Sequence, residues 1–256
     1  MCASASNRPP AIELQGLRKC YGGKVALDGL NLVVPSGCFF GFLGPNGAGK
    51  TTTIRILIGL TAPSAGSVRL LGLPMPEKAF EVKRRIGVVP EDSLLFDRLT
   101  GAEFLQFAAR LYGLGGEVAA HRAAELLALF ELDKHPRKLI GEYSKGMRKR
   151  LMMAAALIHR PELLLLDEPF EGVDAIGARL MKDLLAAQVR RGATVFLTSH
   201  VLEVVERLCD RVAILHQGRL LLEAGVSELR QAAESLEDVF VRVVGAAQSG
   251  HKLEWL

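Results

Sequence analysis

Cysteine is scarce in this sequence, and the spacing of the few cysteines excludes the usual structural roles of the thiol. The 256 residues contain Cys2, Cys20, Cys38 and Cys209, and no two of them have C-x-x-C spacing. Neither a zinc site nor a disulfide framework is therefore indicated. Because disulfides form in oxidising compartments, this pattern favours a reducing one.

Long apolar runs are also missing. A helix that spans a bilayer needs roughly 20 consecutive, mostly apolar residues. The strongest candidate, residues 151–166, is interrupted by His159, Arg160, Pro161 and Glu162. The N-terminal sequence MCASASNRPP lacks the apolar core of a signal peptide. We therefore expect that this polypeptide does not cross a membrane by itself.

Charge of one sign is not in large excess. The net charge of +4 is spread along the chain, which favours a mildly basic surface over a surface that binds nucleic acid or anionic lipid. We expect no nucleic-acid partner. At 256 residues and 49% apolar composition, the chain can form one large α/β domain or a domain with an insertion.

A glycine-rich segment at residues 44–52, GPNGAGKTT, fits the phosphate-binding pattern G-x-x-x-x-G-K-[ST]. Such a turn leaves backbone N–H groups free to converge on phosphate oxygens, and a following helix adds the positive end of its dipole. Lys50 would reach the outer phosphates and the Thr51 hydroxyl would contact Mg²⁺. An ordinary β-α corner is the alternative interpretation. The predicted binding residues are Gly44, Pro45, Asn46, Gly47, Ala48, Gly49, Lys50, Thr51 and Thr52.

The order of the predicted elements indicates an α/β fold. Strands alternate with helices in the first and last parts of the chain, which implies a mostly parallel sheet covered on both faces. Residues 102–114 and 117–130 have apolar residues at helical spacing and predict a small helical insertion. Further helices are predicted at residues 175–190 and 201–208, and residues 61–67 (TAPSAGS) predict a turn. The predicted strands are residues 12–17, 30–34, 38–43, 68–71, 86–89, 162–167, 194–198 and 211–215.

Two carboxylates follow a run of four leucines in the segment LLLLDEP, residues 163–169. Such a run is typical of a strand buried on both faces, and α/β sheets bind ligands at the carboxyl ends of their strands. Asp167 would orient Mg²⁺ or its water shell. Glu168 would polarise the water that attacks the γ-phosphate, which contributes roughly 10² to 10⁴ in rate for a general base. The alternative is a pair of polar residues that cap a strand before Pro169.

One histidine stands out by its position. His200 ends the segment TSH, which follows an apolar strand expected to neighbour the carboxylate strand. Its imidazole would therefore reach the γ-phosphate. The other five histidines, which are His121, His135, His159, His216 and His251, are expected to be structural.

A third motif, YSKGMRKRL at residues 143–151, lies between the phosphate loop and the carboxylate strand. A small hydroxyl residue and a glycine that open a helix make a second anion-binding corner. With this motif the sequence resembles the nucleotide-binding subunit of an ATP-binding cassette (ABC) transporter over residues 12–244. Ser144 and Gly146 match the family's LSGGQ signature. The resemblance implies a P-loop ATPase of ABC type with an N-terminal antiparallel β subdomain and a C-terminal helix.

The resemblance also implies roles for individual residues. In the family, the signature of one subunit closes over the ATP held by the other, so two subunits enclose two nucleotides. Ser144, Lys145 and Gly146 would then contact the partner's ATP. Tyr21 matches the aromatic residue that stacks on adenine, Asp174 the aspartate that senses the opposite subunit, and His200 the switch histidine. Lys50, Glu168 and His200 are the implied catalytic residues, and Thr51, Glu91 and Asp167 are the implied Mg²⁺ ligands.

Three positions depart from the family pattern. Glu91 stands where most members have a glutamine that touches Mg²⁺ and the attacking water, so it changes the charge beside the metal. Lys145 replaces a signature glycine and would add positive charge near the γ-phosphate of the partner's ATP. Met147 replaces a glutamine and removes an amide. Similar sequences at these positions occur in family members that resemble exporters. All three implied catalytic residues are also present, so we expect an active ATPase.

The resemblance implies ATP and Mg²⁺ as cofactors. The partners would be a second copy of the chain and a separate integral membrane permease, which holds the subunit on the cytoplasmic face of the cell membrane. Leu94, Leu95 and Phe96 fit a surface that docks the permease, or equally core packing. A soluble ABC ATPase that acts on nucleic acid or the ribosome is the alternative. The predicted boundaries are 11–245 for the ATP-binding domain, with catalytic core at 11–90 and 137–225 and helical insertion at 91–136, and 226–256 for a C-terminal helix and tail.

Overall fold

The computed structural model describes residues 8–91, 95–231 and 235–248. Cys2, Leu94 and the tail beyond residue 248 lie outside the described residues. Two compact units make up the chain, one formed by residues 1–75 and 198–256 and the other by residues 76–197. In chain order the strands and helices are β1 (Ile12–Tyr21), β2 (Lys24–Val34), β3 (Phe39–Leu43), α1 (Lys50–Leu57), β4 (Ala65–Leu70), β5 (Leu73–Met75), α2 (Ala79–Lys83), β6 (Ile86–Val89), α3 (Gly101–Leu111), α4 (Gly116–Leu129), α5 (Lys145–Leu157), β7 (Leu163–Asp167), α6 (Ala175–Arg190), β8 (Thr194–Ser199), α7 (Leu202–Leu208), β9 (Arg211–His216), β10 (Arg219–Gly225), α8 (Val226–Gln231) and α9 (Leu236–Gln248).

The first unit contains an antiparallel sheet with strand order β2-β1-β4-β5. A tight turn joins β1 to β2, because Gly22 and Gly23 both have positive φ angles, of 48° and 88°. Glycine adopts this region without the steric cost that other residues incur. The pairing of Tyr21 with Lys24 places Tyr21 at the end of β1, beside the turn.

The same unit contains β3, the strand that leads into the phosphate loop. Every residue of β3, FFGFL, is buried, as expected for a strand covered on both faces. β3 pairs in parallel with β9, and β9 pairs antiparallel with β10. Because Gly44 follows β3 directly, the buried strand fixes where the phosphate loop begins.

The second unit contains parallel strands and most of the helices. β6 pairs in parallel with β7, and β8 lies on the other side of β7. All five residues of β7, LLLLD, are buried, and Asp167 ends the strand. The prediction that the strand before His200 neighbours the carboxylate strand is confirmed. α3 begins with a capping box, in which Thr100 and Glu103 satisfy each other's backbone N–H groups.

The predicted α/β fold with an antiparallel β subdomain and a parallel-rich sheet is confirmed, and the division into domains stays a prediction. Two strands, β5 and β10, were not predicted. The predicted turn at residues 61–67 is wrong in its last three residues, because β4 begins at Ala65 and Ala65 pairs with Arg18 of β1. Among the described residues, no helix combines the length and the apolar character that a membrane span requires.

Candidate nucleotide-binding site

The phosphate loop is held by backbone contacts that admit only glycine at key positions. A Cβ on Gly44 would overlap the carbonyl oxygen of Leu215, and a Cβ on Gly49 would lie 2.8 Å from the carbonyl oxygen of Ala26. Gly49 also has a φ of 114°, where it forms the N-cap of α1. The loop is therefore fixed by close packing, while Asn46 and Gly47 at its tip are exposed.

Lys50 begins α1 and is 7% exposed. Its ammonium donates to the carbonyl oxygens of Gly44, at 2.7 Å, and of Pro45, at 3.3 Å. These hydrogen bonds direct the positive charge back over the loop, which leads into the N-terminus of α1 and the positive end of its dipole. The arrangement is suited to bind a chain of phosphates.

Gly218, which the sequence interpretation missed, forms a hydrogen bond with the phosphate loop. Gly218 donates from its N–H to the carbonyl oxygen of Ala48 at 2.9 Å. Its φ is 77°, and a Cβ there would lie 2.7 Å from the carbonyl oxygen of Ala26. The available signal was the Gln-Gly pair of a two-residue β-hairpin, since Gln217 also has a positive φ of 46°.

Two predicted site residues of the first unit are accessible. Tyr21 is 45% exposed, and the Lys19 ammonium lies 4.8 Å from the centre of its ring. A partly exposed ring is available for stacking. His200 is exposed and follows the buried Thr198 and Ser199 of β8. The phosphate loop, Tyr21 and His200 all lie in the first unit.

The carboxylates at the end of β7 differ in their surroundings. Asp167 is 2% exposed, whereas Glu168 is half-buried. Glu168 has a φ of +46°, in the left-handed region that glutamate rarely adopts. Its successor is Pro169, which itself disfavours helical conformations in the preceding residue. Such strained residues concentrate at functional sites, so this conformation marks Glu168 independently of its motif.

The predicted second anion-binding corner forms the start of α5. Ser144 is the N-cap of this helix, and its Oγ accepts a hydrogen bond from the Met147 N–H at 3.2 Å. Gly146 lies against the chain that follows Glu168, because a Cβ on Gly146 would be 2.9 Å from the carbonyl oxygen of Gly172. Gly146 thus lies against residues 172 and 173.

Lys145 and Asp174 also belong to this arrangement. The Lys145 ammonium lies 2.6 Å from the Glu171 carboxylate, in an exposed ion pair. The charge that Lys145 would offer to a partner's phosphate is therefore shared with Glu171, a residue that the sequence did not single out. Asp174 is the N-cap of α6 and accepts a hydrogen bond from the Gly177 N–H at 2.6 Å.

One basic residue of the motif is buried, which the sequence interpretation missed. Lys149 is 1% exposed, although a run of basic residues predicts a solvated helix start. Burial lowers the pKa of its ammonium, and the charges of Glu171, Asp167 and Glu91 act in the opposite direction. The available signal was helical spacing, because Lys149 shares a face with the buried Met152, Met153 and Ala156.

The resemblance to the ABC family implies that Mg²⁺ binds together with the nucleotide, through three side chains. Thr51, Glu91 and Asp167 offer hydroxyl and carboxylate oxygens, the donors that Mg²⁺ prefers. No group of three or more histidine, cysteine, aspartate or glutamate side chains within the described residues is arranged as a metal cage. Mg²⁺ bound together with a nucleotide needs only one or two carboxylates, because phosphates and water complete its shell. The donor atoms of these three residues are therefore of the type that suits Mg²⁺ delivered with ATP.

Comparison with known proteins decides the family. The family profile described as ABC transporter matches residues 27–171, which is more than half of the chain. The chain belongs to the ABC transporter family. Daunorubicin resistance ATP-binding protein of Streptomyces coeruleorubidus is 42% identical over 236 residues, which cover 92% of this chain and 75% of that relative. Nod factor export ATP-binding protein I of Burkholderia pseudomallei is 41% identical over 221 residues, covering 86% and 73%.

Solved structures agree with this assignment. The ATP-binding subunit of an ABC transporter has a TM-score of 0.85 at 31% identity, covering 91% of this chain and 99% of its own. A dimeric ATP-binding cassette in a post-hydrolysis state, bound to ADP and Pi, has a TM-score of 0.78 at 25% identity, covering 84% and 98%. The chain is thus an ATP-binding subunit of an ABC transporter and belongs to a family of ATPases.

Proposed function

We propose that this ABC subunit hydrolyses ATP as a dimer that encloses two nucleotides, and that it drives a separate membrane permease in the direction of export. The observation that carries the proposal is the presence of two anion-binding corners in one chain. One is the glycine-locked phosphate loop with Lys50, and the other is the helix start capped by Ser144. A single triphosphate held in one subunit uses the first and leaves the second for a partner.

In this proposal the catalytic work is positioning and electrostatic stabilisation. The loop N–H groups and Lys50 hold the phosphates, and Tyr21 stacks on the base. Glu168 polarises the attacking water, and His200 stabilises charge on the γ-phosphate. Thr51, Glu91 and Asp167 would hold Mg²⁺, which would supply positive charge to the phosphates. Pairing with Glu171 leaves the Lys145 ammonium close to the place where a partner's phosphate would arrive.

Exposed groups near Asp174 support the dimer. Ile176, two residues further on, is 81% exposed. A large apolar side chain in this position is suited to a protein contact, and a residue beside Asp174 would face the second copy in the proposed arrangement. The dimeric cassette named above is a similar protein that was solved in the assembled state.

An apolar patch supports the permease contact. Phe96 is 55% exposed, Phe107 43% and Leu111 71%. The rings of Phe96 and Phe107 pack edge to face, with centroids 5.7 Å apart, so the patch is continuous. Exposure of Phe96 favours docking over core packing for this residue, whereas Leu95 is half-buried. We call Phe96, Phe107 and Leu111 the insertion patch.

Aspartate at both Phe107 and Leu111 is expected to weaken permease binding and to leave ATP turnover by the isolated subunit unchanged. Burial of each side chain against a partner is worth roughly 1.5–3 kcal/mol, so each substitution reduces affinity roughly 10-fold to 100-fold. The measurement is co-purification of the subunit with its candidate membrane permease. Val33→Asp is the matched control, because Val33 is 51% exposed on β2. Undiminished binding by the double variant would exclude the insertion patch as the docking surface.

The direction of transport rests on the relatives. The relative from Burkholderia is named for the export of Nod factor, and the one from Streptomyces for daunorubicin resistance. We extend export to this chain as part of the proposal. The subunit would then lie on the cytoplasmic face of the cell membrane, held there by the permease.

A further inference from the structure

Lys149 has an environment that its motif does not explain. It lies one helical turn after Lys145 on α5, and its side chain is 1% exposed. An ammonium group removed from water costs several kcal/mol unless its donors are used. Lys149 uses two of its three donors on backbone oxygens, those of Pro90 at 3.0 Å and of Glu91 at 2.7 Å. The buried charge is therefore directed at one short segment.

That segment carries Glu91, a predicted Mg²⁺ ligand. β6 ends at Val89, so Pro90 and Glu91 lie beyond the last strand residue. The neighbouring Arg148 binds further along the same connection, where its guanidinium lies 2.6 Å from the Asp97 carboxylate. Two adjacent basic residues of α5 therefore bind this connection at two points, residues 90–91 and residue 97.

Acidic groups face Lys149 from several elements. Asp167 at the end of β7, Glu171 in the following loop and Glu91 itself all stabilise its charged form. Lys145, on its own helix, acts in the opposite direction. Burial has the largest influence on the Lys149 ammonium and lowers its pKa. A neutral donor of similar length can replace its hydrogen bonds in part.

We propose that Lys149 is a positioning residue, which fixes the backbone of Glu91 to the start of the helix that Ser144 caps. This proposal rests on the proposed function, in which Ser144 and Gly146 close over the partner's ATP. Movement of α5 on closure is then transmitted through Lys149 to Glu91 in the same subunit. Each subunit thereby links the partner's nucleotide to the metal ligand of its own nucleotide.

The test compares Lys149→Met with Lys149→Gln in the full-length protein. Methionine fills the space without a donor, whereas glutamine keeps an N–H donor for the carbonyl oxygens. Loss of a residue that orients a metal ligand typically costs 10-fold to 100-fold in metal affinity or activity. We therefore expect Lys149→Met to turn over ATP more slowly and to need roughly 10-fold to 100-fold more Mg²⁺ for its own half-maximal rate. Its ATP affinity without Mg²⁺ should equal that of the wild type, and Lys149→Gln should recover most of both losses.

Lys134→Gln is the control for loss of one lysine charge, because Lys134 is exposed and pairs with Glu131. If Lys149→Met does not fold, Lys149→Ala takes its place, since its cavity can admit water. The inference is overturned if the Mg²⁺ requirement stays unchanged, or if glutamine restores no more than methionine. A wild-type protein without ATP turnover would instead overturn the proposed function, so the two failures are distinguishable.

Discussion

Replacement of Glu168 by glutamine is expected to abolish ATP turnover while the protein still binds ATP. Glutamine keeps the size of the side chain and the hydrogen bonds of its carbonyl oxygen, but it cannot polarise water as a carboxylate does. Removal of a general base costs roughly 10² to 10⁴ in rate. We propose that ATP holds the two subunits together and that hydrolysis releases them, so the variant should accumulate as an ATP-bound dimer. Phosphate release and the sedimentation rate with ATP measure the two effects.

Glu162→Gln is the matched control for this substitution. Glu162 directly precedes β7, at the opposite end from Glu168, and its carboxylate pairs with Arg85 at 2.7 Å. The same change of carboxylate to amide there should leave turnover near that of the wild type, since partly exposed ion pairs contribute little to stability. Wild-type turnover by Glu168→Gln would remove Glu168 from the catalytic role.

Replacement of Ser144 by aspartate is expected to prevent dimer formation without disturbing ATP binding by one subunit. Aspartate is as good an N-cap as serine, so α5 remains intact. The added negative charge would face the partner's γ-phosphate. Two like charges about 4 Å apart repel by roughly 4 kcal/mol near a protein surface, which corresponds to a loss of at least roughly 100-fold in dimer affinity.

Asparagine at position 144 supplies the matched comparison. It has the shape of aspartate and caps a helix equally well, but it carries no charge. In the Glu168→Gln background, Ser144→Asn should still dimerise with ATP, whereas Ser144→Asp should remain monomeric and bind ATP. Equal behaviour of the two variants would show that no phosphate approaches Ser144.

The elements that carry the phosphate loop and Asp167 could be predicted because their signals are local. Runs of apolar residues without a polar break, at residues 38–43 and 163–166, indicate strands buried on both faces whatever the rest of the chain does. β4 shows the opposite case. Ala65 and Gly66 have no strand preference, and they join the strand because β1 offers an antiparallel partner.

Other features depend on the three-dimensional arrangement and leave weak traces in the sequence. The positive φ of Glu168 follows from the turn that the chain makes after β7, and no residue type announces it. The burial of Lys149 results from the packing of α5 beside the segment with Pro90. The partner of Lys145, Glu171, is 26 residues away and becomes a neighbour only on folding. Sequence motifs therefore predict the candidate site residues, whereas the contacts between the motifs required the structure.

The central claim is that each ATP lies between Lys50 of one subunit and Ser144 of another. The most direct test mixes two variants in the Glu168→Gln background, one with Lys50→Ala and one with Ser144→Asp. Each alone should remain monomeric with ATP. Mixed at high concentration, they should form a heterodimer with one ATP, because Lys50 of the second variant and Ser144 of the first complete one site. If ATP produces no heterodimer in sedimentation, although the parent Glu168→Gln protein dimerises, the shared site is contradicted.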